Sequence, residues 1–224
     1  LDGVSRRTVL AFSAAPTVLD HGMARFECRL APRESFELYM EVGADTGEPS
    51  AARHRRAMVH ARRALRARRR SGARLHGGGL LFDAWVERSR TDIALLASDL
   101  PSGRYPYAGI PWFSTPFGRD AIVTALQTLW LDPDLARGVL AYLAERQAAE
   151  DSSFRDSAPG KIMHEARKGE MAALGEVPFG LYYGGVDTTP LFVLLAGRYL
   201  RRTGDRAFID RLWPALERAI GWIE

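Results

Sequence analysis

The chain has 224 residues, of which 46% are hydrophobic and 26% charged, with a formal net charge of +4. This is the composition of an ordinary globular protein, long enough for one large domain or two small ones. The lone Cys28 excludes an internal disulfide framework, and no apolar run approaches the length of a bilayer span; the longest is near Leu191–Ala196. With no signal peptide at the start, a cytoplasmic protein with no membrane partner is expected. The charge is unevenly placed. Residues 51–80 hold ten arginines and no acidic residue, so the remainder of the chain is mildly acidic.

Residues 1–45 read as strands. Thr8–Phe12 is a short apolar run, Ala24–Leu30 alternates loosely, and Ser35–Val42 is the best strand candidate. Turn signals stand between them at Asp20-His21-Gly22 and Pro32. Three strands do not make an independent β domain, so the segment is expected to be the end of a β-sandwich. Residues 46–80 read as a linker. Within it His54–Arg70 has helix-forming composition, and His76-Gly77-Gly78-Gly79 closes it flexibly. The arginines suit an anionic partner, but no aromatic residue is interleaved to stack on bases, so a solvated connecting helix and no nucleic-acid partner are expected.

From residue 81 to 224 the pattern is helical. Phe82–Ser98, Asp120–Trp130, Pro133–Gln147, Thr188–Arg202 and Asp205–Glu224 each carry apolar residues at helical spacing. Pro133 suits a first helical turn, and Pro214 marks a kink or break. Short links, Leu131-Asp132 and Thr203-Gly204, join the second helix to the third and the fourth to the fifth. The segments before the second and fourth helices, 100–119 and 148–187, are long and rich in aromatic and acidic residues. That asymmetry puts short turns at one end of a bundle and decorated loops at the other, where a site is expected.

The first loop carries Trp112, Phe113 and Phe117, followed by Arg119 and Asp120 at a helix start. Flat aromatic faces suit the C–H face of a sugar ring, and an Arg-Asp pair matches neighbouring hydroxyls. The alternative is that Asp120 caps its helix and the aromatics fill the loop's own core. The second loop holds His164, Glu165, Glu170, Tyr182, Tyr183 and Asp187. A metal site is not expected, because Lys168 stands where a His-Glu-x-x-His helix needs its second histidine. Taken together, the residue types describe a neutral carbohydrate pocket with no cofactor.

Four segments in order carry a family resemblance. They are Pro111-Trp112-Phe113-Ser114-Thr115-Pro116-Phe117-Gly118-Arg119-Asp120, Pro159–Glu165, Gly169–Met171 and Tyr182–Phe192. They resemble the bacterial amylo-α-1,6-glucosidases, the glycogen-debranching type, closely over about residues 80–224 and loosely over 1–45. The resemblance implies a mainly α fold: a partial (α/α)6 barrel of the six-hairpin glycosidase kind after the end of a β-sandwich. It implies hydrolysis of α-glucosidic bonds in glycogen-like or smaller α-glucosides. Related hydrolases acting on glucosylglycerate, mannosylglycerate or trehalose are the alternative, and a non-catalytic sugar-binding remnant is another. By resemblance, Arg119 and Asp120 hold the terminal sugar, Trp112 and Phe113 form its platform, and His164, Glu165, Tyr183 and Asp187 line the pocket. Inverting hydrolysis needs an acid and a base on opposite sides of the bond. In the family both lie beyond the position of Glu224. The chain is therefore expected to be a fragment, inactive alone, whose partner is the missing C-terminal half of the barrel.

Overall fold

A computed structural model describes Gly3 and residues 5–224. Its secondary structure is mainly helical, and it divides into two compact units at Arg66.

The first unit holds four short strands. β1 (Val9–Phe12) pairs antiparallel with β4 (Met40–Gly43), with Val9 opposite Gly43 and Phe12 opposite Met40. β2 (Val18–Asp20) and β3 (Met23–Arg25) form a hairpin turning at His21-Gly22, where the turn signal lies. Two expected strands are shorter than their patterns. Ala24–Leu30 pairs only as far as Arg25, because Pro16 stands just before the opposite strand and has no N–H to extend the ladder. Ser35–Val42 enters a sheet only at Met40; before it, Tyr39 alone is tied, exchanging bonds with Ser13 at 2.9 Å. No described residue of this unit is buried, so these strands enclose no core. Helix α1 (Ala51–Arg69) follows, starting three residues before the expected His54–Arg70 segment and ending one residue short of it. The compact units divide inside this helix, whereas the sequence suggested boundaries at residues 45 and 80. Its last turn belongs to the second unit, where Arg68 pairs with Asp99 at 2.7 Å and Arg69 pairs with Glu87.

The first helix lying wholly within the second unit is α2 (Leu80–Leu96). The periodic residues at its start are not core: Phe82 and Trp85 are exposed. What anchors the helix is Arg90, buried, whose guanidinium donates to the carbonyls of Arg69 and Ala73. The chain then makes a hairpin where the helical pattern, expected to run to Ser98, and a following loop predict none. β5 (Ala97–Leu100) pairs with β6 (Gly103–Pro106) across Pro101-Ser102, with Gly103 at φ +119°. This hairpin is part of the core. Tyr105 is fully buried and donates its hydroxyl to the Phe117 carbonyl at 2.8 Å, while Arg104 grips Asp132 with two bonds at 2.7 and 2.8 Å. Gly138 permits the contact, since a Cβ there would stand 2.2 Å from the Arg104 carbonyl oxygen.

Four helices complete the unit: α3 (Gly118–Thr128), α4 (Pro133–Ala144), α6 (Thr188–Thr203) and α7 (Arg206–Ile223), with a single turn, α5 (Glu170–Ala173), in the loop before α6. Pro133 opens α4 as expected. α3 packs on α4 and α6, and α6 packs on α7. Each contributes a stripe to one core, as with Ala121, Ile122 and Ala125 of α3 and Phe192, Leu195, Ala196 and Tyr199 of α6. α7 supplies Phe208, Ile209, Leu212, Ala215, Leu216 and Ala219 at helical intervals. Burying each large side chain is worth about 1.5–3 kcal/mol. Gly204, at φ +71°, ends α6, and Asp205 caps α7 by accepting from the Phe208 N–H at 3.1 Å. Pro214 neither ends nor divides α7, which runs unbroken through it.

Candidate functional site

The two long loops meet at the starts of α3 and α6. Their backbones interlock: the Gly118 N–H donates to the His164 carbonyl at 2.7 Å, Ala166 donates to Pro116 at 3.0 Å, and His164 donates to Tyr182 at 2.7 Å. Bridges of strand type join Phe117 to Glu165 and Glu165 to Tyr182. Thr115 adds a side-chain bond to the Ala166 carbonyl. Gly118 is required by this closeness, since a Cβ there would come within 2.1 Å of the Met163 carbonyl oxygen and 2.6 Å of Thr188 Cγ2. At the start of α6 the buried Thr189 hydroxyl accepts from the Ile162 N–H at 2.9 Å.

This junction brings Arg119 and Asp187 together. Arg119 Nη1 lies 3.5 Å from Asp187 Oδ2, and each side chain is about half exposed, at 51% and 43%. Such a long, wet ion pair contributes little stability and leaves most donor and acceptor sites open. Asp120 is partly buried in the first turn of α3, where a carboxylate is favoured by the helix dipole. Arg119 and Asp120 line an open cleft of about 300 Å³ whose other walls include Leu96, Tyr107, Val123 and Thr124. Trp112 is 79% exposed and Phe113 53%, so neither fills a loop core. Phe117 does, buried and in edge-to-face contact with Phe113 at 5.9 Å and with the His164 ring at 5.7 Å between centroids.

The remaining candidates differ in kind. His164 has a buried Nδ1 without a hydrogen-bond partner among the described residues, close to Gly185, where a Cβ would lie 3.2 Å from that nitrogen and 3.3 Å from Asp187 Oδ1. Glu165 is buried and paired: Arg167 Nε donates to its Oε2 at 3.0 Å. Tyr183 makes no hydrogen bond to Arg119 or Asp187 among the described residues. It is packed in the hydrophobic core, donates its hydroxyl to the Arg146 carbonyl at 2.7 Å, and has its pKa pushed up by burial.

Arg167, absent from the sequence-derived residues, is central. Beyond Glu165 it donates to the Trp112 carbonyl at 3.3 Å, and its guanidinium lies 5.8 Å from the Phe117 ring and 5.9 Å from the Phe179 ring. The available signal is its spacing of two from Glu165, which in an extended segment puts both side chains on one face.

A larger open groove, about 1000 Å³, lies in the first unit beside Tyr39, Met40 and His54. Its principal charged pair is already satisfied, with Arg53 Nη2 donating to Glu41 Oε1 at 2.6 Å. Among the described residues no group of three His, Cys, Asp or Glu could hold a metal, and no helix is long and apolar enough to cross a membrane. No protein-family model matches the chain, and no curated protein matches it.

Proposed function

We propose that the second unit belongs to a glycoside hydrolase acting on α-glucosidic bonds, of the glycogen-debranching type, and forms the substrate-holding part of an (α/α)6 barrel. The first unit is then the end of a β-sandwich. In this reading the protein works in the cytoplasm on glycogen-like or smaller α-glucosides. The observation that carries the proposal is the convergence of Arg119 and Asp187 at two helix starts, with Trp112 and Phe113 exposed in the loop that leads into α3. These residues supply a donor fork, a carboxylate and apolar plates, the groups that a hexose ring takes. The sequence resemblance at the same two loops supports it.

Arg119, Asp120 and Asp187 take hydroxyls of the non-reducing sugar in this reading, and Trp112 and Phe113 receive its C–H face. Glu165 supports the loop that carries the platform, and Tyr183 stabilises the fold. No residue of this chain is assigned as general acid or base. Isothermal titration of the purified chain with maltose and isomaltose tests the reading. Millimolar binding, weakened at least tenfold by Asp120→Asn with the Tm unchanged, is expected. Equal binding by the variant, or no binding of either sugar at high millimolar concentration, overturns it. The same purified chain is expected to release no glucose from maltose; glucose release abolished by Asp120→Asn would show a complete active site instead.

A further inference from the structure

The arginine-rich helix α1 plays no part in the sugar site. Along the sequence its arginines form one dense run, but the fold sorts them into two groups. Arg53, Arg68 and Arg69 have carboxylate partners, in Glu41, Asp99 and Glu87. Arg55, Arg56, Arg62, Arg63 and Arg66 are all exposed and have no carboxylate partner among the described residues. At 3.6 residues per turn these five fall within an arc of about 120° and span about 16 Å of helix axis. They make a single stripe of one sign.

Solvated helices usually mix charges, because like charges three and four residues apart repel. This stripe has such neighbours at Arg62 and Arg66 and at Arg63 and Arg66, with no acidic residue anywhere in the helix to offset them. Nor does burial hold the helix, since none of its residues is buried. A helix with that charge pattern and no core face is marginal alone and is stabilised by a line of negative charge.

We infer that the exposed arginine stripe of α1 is a docking surface for the phosphate backbone of a nucleic-acid duplex. A duplex presents about one negative charge per 1.7 Å, in a rigid array that a rigid helix can follow. The helix carries no Phe, Tyr or Trp, which argues against stacking on single strands; contacts to a duplex backbone need no stacking. An anionic membrane fits less well. Interfacial helices oppose their cationic face with large apolar residues such as Trp, Phe and Leu, and α1 offers only Met58, Val59 and Leu65 among alanines.

The test is fluorescence anisotropy of a labelled 20-base-pair DNA duplex with the full chain, titrated between 50 and 200 mM salt. Five phosphate contacts predict an affinity loss of about 500-fold across that range. Replacing all five arginines, by Arg55→Gln, Arg56→Gln, Arg62→Gln, Arg63→Gln and Arg66→Gln, is expected to abolish binding. The matching five lysine substitutions should retain it within tenfold, and circular dichroism should show both variants folded. Added duplex should also raise the helical signal of the unaltered chain. Three results overturn the inference: no duplex binding at 50 mM salt, binding unaffected by the glutamine substitutions, or tighter binding to single-stranded oligothymidylate or to phosphatidylglycerol vesicles than to the duplex.

Discussion

The guanidinium of Arg167 and the carboxylate of Glu165 form a pair in which Nε donates to Oε2 at 3.0 Å, the acid buried and the base partly exposed. The pair links the core side of the second loop to the aromatic tip of the first, because the same guanidinium holds the Trp112 carbonyl. Arg167 is thus a positioning residue, acting on the proposed platform loop through the Trp112 carbonyl. Arg167→Met leaves the Glu165 carboxylate buried without its partner and should cost about 2 kcal/mol in urea unfolding, less than a fully buried pair would. It should also shift the Trp112 emission and weaken maltose binding about tenfold. Arg167→Lys keeps the charge but not the fork, and should recover stability more than binding. Unchanged affinity in the methionine variant would remove Arg167 from the site.

Gly118 stands at the closest approach of α3 to the second loop, with no room for a methyl group before the Met163 carbonyl. Gly118→Ala forces the two loops apart at the point where the candidate site is assembled. Overpacking of this kind is expected to cost about 3 kcal/mol, read by urea denaturation. Gly197→Ala is the control. It lies in α6 with open space around it and should be neutral or slightly stabilising, since Ala is the better helix former. Equal effects at the two positions would show that the contact at Gly118 relaxes freely.

The Tyr199–Asp205 bond at the α6–α7 turn makes stability depend on pH at both extremes. Burial, then the Asp205 carboxylate accepting at 2.9 Å, pushes the Tyr199 phenol up to about 12 from its usual 10. A phenol whose pKa is raised on folding stabilises the protein fully below pH 10, and that contribution is lost as pH rises toward 12. Tyr105, Tyr142 and Tyr183 are raised by burial in the same direction. The Tm should therefore fall steeply above pH 10, and Tyr199→Phe should make the fall shallower. Asp205 is shifted the other way, its carboxyl held below 3.8 by the Phe208 N–H first and then by Tyr199. Its contribution is present at neutral pH and lost as pH falls below 3.8. Asp205→Ala should lower the Tm at pH 7, and lower it less as the pH falls through the acid range.

Helix positions were legible in the sequence because helical periodicity is local. The spacing of Phe208, Leu212, Ala215 and Ala219 shows α7 without reference to any other segment, and Pro133 and Gly204 mark helix ends through their own backbone preferences. The loop asymmetry that pointed to Arg119, Asp120 and Asp187 follows from the same periodicity. The hairpin of Ala97–Leu100 and Gly103–Pro106 is not legible although Pro101-Ser102-Gly103 signals its turn, because the helical spacing of Ile93 and Leu96 runs up to the first residue of the strand. Tertiary structure alone separated residues of like type. Glu165 is taken up by Arg167 and Tyr183 by the Arg146 carbonyl, whereas Arg119 and Asp187 stay open to solvent. The arginines of α1 divide into paired and unpaired for the same reason. A side chain's type states which bonds it can make; which of them are already made depends on groups that folding brings from elsewhere in the chain.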